Sequence, residues 1–338
     1  MRFGIFGSAQ ARRGVPDVDS GAGFKDFVEY NVQAEALGYQ SSFVVEHHFT
    51  GFGQISATLN LLTWVGARTS TLRLGTAVMV LPWHNPVLLA EQVATMDLLS
   101  NGRVDLGIGP GYRHNEFAGF CVPMEEAEER FDESVQLLIR AWTSDVPWSH
   151  RGKYWQFENV VVEPPTAQKP HPPLWMGAGR PESIKKVAAR GYNLLLDQFA
   201  PFDQTIDRFK LFKSEVQALG RRFDPSRVAV ARSVNVVMTA AEREKAIEAR
   251  LAARRRTERL AQRPDGQNKA SIMSYASTLE AAEAGTLYGS PDEIAAKLQT
   301  LRAAGVEYVL LNSVGGLETL RRFAREVLPA FAGASVTA

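Results

Sequence analysis

The stretch VVEHHFTGFG, Val44 to Gly53, ends an apolar run with one glutamate and two histidines. Whether it is a metal site, the catalytic end of a strand or a polar loop depends on the kind of strand that stops there. The run SSFVVEH (41–47) is short and continuously apolar at its centre, as expected of a parallel strand covered on both faces. Similar runs are RFGIFG (2–7), LRLGTAVMVL (72–81), VDLGIGPG (104–111), LWMGAG (174–179), NLLLDQF (193–199), VAVARSVNVVMT (228–239) and YVLLNSVG (308–315). Helical stripes lie between them: Phe24, Phe27, Val28, Ala34 and Leu37; Phe131, Val135, Leu138 and Trp142; Leu317, Leu320, Ala324, Val327 and Phe331. Gly38, Gly191 and Gly305 each stand between a helical stretch and a strand, as C-caps do. Eight alternating βα units predict a single (β/α)8 TIM barrel over residues 1–338, in preference to a doubly wound open sheet. Two stretches exceed a simple connection: a Pro-rich insertion at 145–173 and a candidate active-site lid at 262–288.

Composition narrows the function. Of 338 residues 45% are hydrophobic, and 38 Lys+Arg against 37 Asp+Glu give a formal net charge of +1. That balance offers no case for nucleic acid or an anionic membrane as the main partner. The one cysteine, Cys121, excludes an internal disulfide framework and a cysteine-rich metal site. No run of 18 apolar residues occurs, and MRFGIFG reads as a strand rather than a signal peptide, so a cytoplasmic protein is expected.

In a barrel, chemistry collects where strands end at the C-terminal face, and Glu46, His47 and His48 lie at such an end. Neighbouring residues on a strand point to opposite sides, so the two histidines are poorly placed to chelate one ion, and no HExxH spacing occurs; no metal is expected. An imidazole, with an unperturbed pKa of about 6.5, can exchange protons near neutrality. GIGPGY (107–112) is an incomplete dinucleotide fingerprint. GAGRPES (177–183) has the makings of a phosphate site. Gly179 permits close backbone approach, Pro181 suits the first helical position, and the amides of Glu182, Ser183 and Ile184 are expected to be free beside the Ser183 hydroxyl. The charge of Glu182 must then turn outward; the competing reading is a plain helix cap. Asp97 lies in the stripe of Ala90, Val93, Ala94 and Leu98 and needs a partner, with Arg103 the candidate. ARRRTER (253–259) reads as a solvated helix face.

EHHFTGFG resembles the second-strand segment of luciferase-like flavin-dependent monooxygenases. The likeness continues through residues 72–112, 172–196 and 289–312, and is weakest in 145–170 and 240–288. It implies a barrel that binds reduced FMN at its C-terminal mouth. O2 then adds at the flavin C4a position to give a (hydro)peroxide that oxidises a small organic substrate. It also implies a separate flavin reductase and a homodimer. By position, His47 is the catalytic imidazole, with Glu46 bonding a neighbouring strand or orienting a histidine. A non-proline cis peptide is implied at Ala77–Val78 under the ring, where Thr76 and Ala77 are small. Gly109 and Tyr112 adjoin the cofactor, and Gly177, Gly179, Arg180 and Ser183 hold its phosphate.

The chain departs from luciferase in two places. Asn85 replaces a histidine, and Gly109–Pro110 replaces a Cys-Arg pair whose arginine helps hold the FMN phosphate. Arg113, Arg180 or backbone amides would have to substitute, or the cofactor differs. Two alternatives therefore stay open: a deazaflavin-dependent dehydrogenase or reductase of the same superfamily, and a catalytically silent flavin-binding subunit.

Overall fold

The computed structural model describes residues 1–11, 19, 21–266 and 270–331. Strands and helices alternate: β1 (Arg2–Gly7), α1 (Ala22–Ala36), β2 (Ser41–Val44), α2 (Thr58–Arg68), β3 (Arg73–Thr76), β4 (Met79–Val80), α3 (Pro86–Leu99), β5 (Val104–Gly109), α4 (His114–Gly119) and α5 (Ala127–Thr143). Then come the hairpin β6 (Trp148–Arg151) and β7 (Gln156–Val160), β8 (Leu174–Gly177), α6 (Pro181–Arg190), β9 (Asn193–Leu196), α7 (Phe202–Ala218), β10 (Val228–Val236) and α8 (Ala240–Ala261). The chain continues through α9 (Leu279–Ala284), β11 (Leu287–Gly289), α10 (Pro291–Ala303), β12 (Tyr308–Ser313) and α11 (Gly316–Glu326).

Parallel pairing runs β1-β2-β3-β5-β8-β9-β10-β12 and returns to β1 through Arg2 opposite Tyr308, so the eight-stranded ring is closed. The expected barrel is therefore the fold, and an open sheet is excluded. All eight anticipated runs supply ring strands. Gly38, Gly191 and Gly305 have φ of 91°, 72° and 96°, the left-handed conformation that a glycine reaches without a Cβ penalty.

Alternation along the strands divides the core in two. Val44, Leu74, Val104, Leu106, Leu194, Val230 and Val309 pack outward against the helices. Phe43, Trp175, Leu195, Ala229, Ala231, Tyr308 and Leu310 form a separate cluster inside the ring. Lower in the barrel Arg73 forks onto Asp105, Nε to Oδ2 at 2.6 Å and Nη2 to Oδ1 at 2.9 Å, and Trp175 Nε1 donates to Asp105 Oδ1 at 3.1 Å. This end is plugged, which leaves the chemistry to the other.

Three local readings change. The run 72–81 breaks after Thr76; β4 resumes beyond the bend and pairs with the upper part of β5. β11, three residues long and starting at the very end of the 262–288 stretch, pairs with Val234–Val236 at the upper end of β10, too short to register as a strand in the sequence. Asp97 is buried, but its partner is Gln168 in the 145–173 insertion, whose backbone and side-chain amides both donate at 2.8 Å. Arg103 is instead occupied by the carbonyls of Ser100, Leu72 and Gly66.

Candidate active site

β2 stops at Val44, and the following residues turn into the barrel mouth. Glu46 is only 1% exposed. Its Oε1 accepts His84 Nε2 at 2.7 Å and His48 Nε2 at 3.2 Å, and its Oε2 accepts the Val80 amide at 2.7 Å. Glu46 thus does both things expected of it, tying β2 to the neighbouring strand and orienting histidines. Burial pushes its carboxyl upward in pKa. The bonds from His48, His84 and Val80 outweigh that and hold it below the usual carboxylate range. His84 belongs to PWHNP (82–86), whose aromatic and polar residues are placed by sequence to edge the pocket; its contact with Glu46 is what the sequence does not show. Asn85, where luciferase has a histidine, caps α3 by accepting from Val87 N and Leu88 N.

His47 takes a different partner. Its Nδ1 lies 2.9 Å from Glu116 Oε1, which also accepts the His48 backbone amide at 2.9 Å. A carboxylate only accepts, so Nδ1 carries the proton and Nε2 is left with its lone pair. The His47 side chain is 13% exposed. Burial is the main cause that drives its pKa below the ordinary histidine value, opposed by the Glu116 hydrogen bond and reinforced by the charge of Arg113. The imidazole is therefore neutral at pH 7. Tyr112 stands edge-on to it at 6.5 Å between centroids. Arg113 is 4% exposed; its Nε donates to Tyr112 Oη at 3.3 Å, while Nη1 is 3.9 Å from Glu116 Oε1 and makes no hydrogen bond.

Beside this cluster small residues line part of the inner wall. The Ala77–Val78 peptide is cis, as the resemblance implied. Ile108 pairs with Met176, so Gly109 of β5 and Gly177 of β8 stand side by side one step higher. A Cβ on Gly109 would meet Val78 Cγ2 at 2.7 Å, whereas one on Gly177 would enter open space with nothing within 4 Å. Ala77, Gly109 and Gly177 make a strip that would accept the face of a flat ring system. Thr76 does not join it: the residue is buried and its hydroxyl donates to Gly107 O at 2.7 Å, so it serves the sheet.

GAGRPES opens α6 as expected, with Arg180 as an exposed N-cap and Pro181 in the first turn. Glu182 is exposed. Ile184 N, however, donates to Arg180 O at 3.0 Å, so that amide is not available to a phosphate, and Glu182 and Ser183 provide the amides at the tip. The close approach anticipated at Gly179 is made by the candidate lid, since a Cβ there would lie 2.6 Å from Ser271 Oγ and 3.4 Å from Arg208 Cζ.

That segment, apart from 267–269, which lie outside the described residues, is fastened at several points. Tyr275 Oη donates to Asp197 Oδ2 at 2.9 Å and receives Arg208 Nη1 at 2.6 Å. Arg254 donates to the carbonyls of Ile272 and Tyr275 at 3.1 and 2.5 Å, and Arg250 to that of Ala282 at 2.8 Å. ARRRTER is thus not wholly a solvated face. Arg255, Arg256 and Arg259 are exposed, but Arg254 is 3% exposed and holds the lid. Among the described residues no group of three or more His, Cys, Asp or Glu could hold a metal ion.

A luciferase-like monooxygenase family model matches residues 1–308, and the chain belongs to that family. It is 27% identical over 187 residues to the oxygenase component of a flavin-dependent trigonelline monooxygenase from Acinetobacter baylyi, covering 55% of this chain and 51% of that one. It is 34% identical over 176 residues to an F420-dependent glucose-6-phosphate dehydrogenase from Amycolatopsis mediterranei, covering 50% and 52%. The chain thus spans only about half the length of these two curated relatives. The crystal structure of the monooxygenase RslO1 from Streptomyces bottropensis superposes with a TM-score of 0.80 at 27% identity, covering 98% of this chain and all of that one.

Proposed function

We propose that this chain is the oxygenase of a two-component flavin-dependent monooxygenase that uses reduced FMN and O2 to oxidise a small organic substrate. The observation that carries the reading is the wall of small residues Ala77, Gly109 and Gly177, bordered by Val78 and open above Gly177, at the mouth where the neutral, Glu116-oriented imidazole of His47 stands. Those residues fit a planar cofactor. Reduced FMN, when bound, supplies the electrons that activate O2.

The chain's own groups divide the remaining work. The tip of α6, with Arg180 and Ser183, holds the phosphate, Gly179 gives its close approach to Ser271 of the lid instead, and Tyr112 edges the ring site. His47 Nε2 accepts or returns a proton at the reacting oxygen. The segment 262–288, already latched through Tyr275, Arg254 and Arg250, excludes the water that would release hydrogen peroxide. A reductase delivers the flavin from the cytoplasm, and the chain works as a homodimer. The test is to supply reduced FMN with and without residues 262–288: the deletion should bind flavin but divert its oxidation to hydrogen peroxide, and unchanged coupling would remove the lid from the account.

A second reading is supported by the Gly109–Pro110 departure and by the F420-dependent relative: hydride transfer with a deazaflavin, in which the same His47–Glu116 pair would serve the alcohol proton. Fluorescence titration with FMN and with the deazaflavin decides between the two by relative affinity.

A further inference from the structure

The least explained group in the mouth is Arg113. A guanidinium this buried ordinarily spends its donors on carboxylates or carbonyls. Here Nε reaches only the Tyr112 hydroxyl, and Nη1, buried, has no hydrogen-bond partner. Glu116 Oε1, 3.9 Å from Nη1, pairs with it in charge but lies beyond hydrogen-bond reach, and that oxygen already receives His47 Nδ1 and the His48 amide. The groups that face His47 are Glu116 and Arg113 from the β5–α4 segment and Glu46 from its own. The corner therefore offers an incoming ligand one fixed positive donor, Arg113 Nη1, and one lone pair, His47 Nε2.

These two offers select a chemical class. A carboxylate would satisfy the guanidinium but would face the imidazole lone pair with lone pairs of its own. A neutral carbonyl would leave both underused. A phenol or an enol suits both, because its hydroxyl brings a proton to Nε2 and its oxygen can then carry the charge that Nη1 receives. We propose that Arg113 and His47 form an oxyanion site for a phenolic or enolic substrate, which is bound with its O–H proton passed to His47 Nε2 and its oxygen held by Arg113 Nη1. The O–H bond breaks, an N–H bond forms on His47, the electron pair stays on oxygen, and no redox partner is needed. This deepens the proposed function, since it takes the same mouth to be the substrate site; an electron-rich phenolate or enolate is also a better carbon nucleophile toward an electrophilic oxygen donor than its neutral parent.

The experiment uses 4-nitrophenol, whose phenolate absorbs in the visible, with the full-length protein in the absence of flavin. Its neutral methyl ether, 4-nitroanisole, and 4-nitrobenzoate are run beside it. Binding should shift the phenol's ionisation downward by about one pKa unit, roughly ten-fold more phenolate at a fixed pH. The methyl ether and the benzoate should bind at least about ten-fold more weakly. Arg113→Gln should abolish the shift, Arg113→Lys should retain part of it, and His47→Gln should abolish it without removing the guanidinium. No binding, a probe bound in its neutral form, a benzoate bound as well as the phenol, or a shift that survives in Arg113→Gln would each overturn the proposal. If Arg113→Gln does not fold, the wild-type shift and the His47→Gln comparison decide the matter. FMN affinity, measured separately by quenching of flavin fluorescence, reports on the flavin reading alone, so either idea can fail without the other.

Discussion

Removing the Glu46 carboxylate should cost several times more than neutralising it. The carboxylate accepts three hydrogen bonds in a nearly water-free position, two from imidazoles and one from a backbone amide. In Glu46→Ala the Val80 N–H loses its acceptor where water cannot replace it, a penalty of about 1–3 kcal/mol. His48 and His84 are partly exposed and can turn toward solvent at smaller cost. With the cavity included, the loss should be about 3–5 kcal/mol, the range for breaking a buried charged pair from one side. Glu46→Gln keeps the volume. Its oxygen can accept from Val80 and its NH2 can donate to both imidazoles once they switch tautomer, so the loss should be about 1–2 kcal/mol.

Urea unfolding followed by circular dichroism and tryptophan fluorescence should show falling midpoints with an unchanged slope. The pH arm sharpens the test. Glu46's hydrogen bonds hold its folded pKa below the unfolded value of about 4.3, so the unfolded state binds the proton first. The stabilisation is complete above that value and is lost as pH falls through the folded pKa; Glu46→Gln should flatten this acid limb. An alanine variant as stable as the glutamine one, or an unaltered acid limb, would refute the reasoning.

Other outcomes follow from the same geometry. Gly177→Val places its side chain in open space, so thermal stability should change by no more than about 0.5 kcal/mol while FMN affinity falls at least about ten-fold; calorimetry and fluorescence quenching read the two separately. His47→Gln should lower product formation by about 10²–10⁴-fold and leave FMN affinity within a few-fold, measured by single-turnover product analysis. Tyr275→Phe removes the hydroxyl shared by Asp197 and Arg208, and should speed proteolytic cleavage within 262–288 and raise hydrogen peroxide release while the barrel's own melting is nearly unchanged.

The barrel was legible because buried parallel strands leave a local mark: a short continuous apolar run, a helical stripe, then a glycine with φ beyond the reach of other residues. β11 left no such mark, being three residues whose pairing with β10 depends on tertiary position. In the site, His47 and the Ala77–Val78 bend could be placed through family resemblance, but the partners that set their chemistry could not. Glu116 is 69 residues from His47, and His84 is 38 from Glu46. The assignment of Asp97 to Arg103 failed for a related reason: the backbone carbonyls of Gly66, Leu72 and Ser100 absorb the donors of Arg103, while the true partner comes from the insertion. Arg254 misled because charge composition marks a helix as solvated without saying which residue turns beneath a lid.

The central claim is that the mouth holds a reduced flavin away from water beside His47. Anaerobic mixing of the protein with reduced FMN, followed by oxygen and observed by stopped-flow absorbance, tests it directly. Oxidised flavin should appear after a lag, much more slowly than from free FMN in the same buffer, and Gly177→Val should abolish that delay. If oxidised flavin forms in the presence of the protein at the rate seen in buffer alone, the mouth does not protect it and the account is wrong.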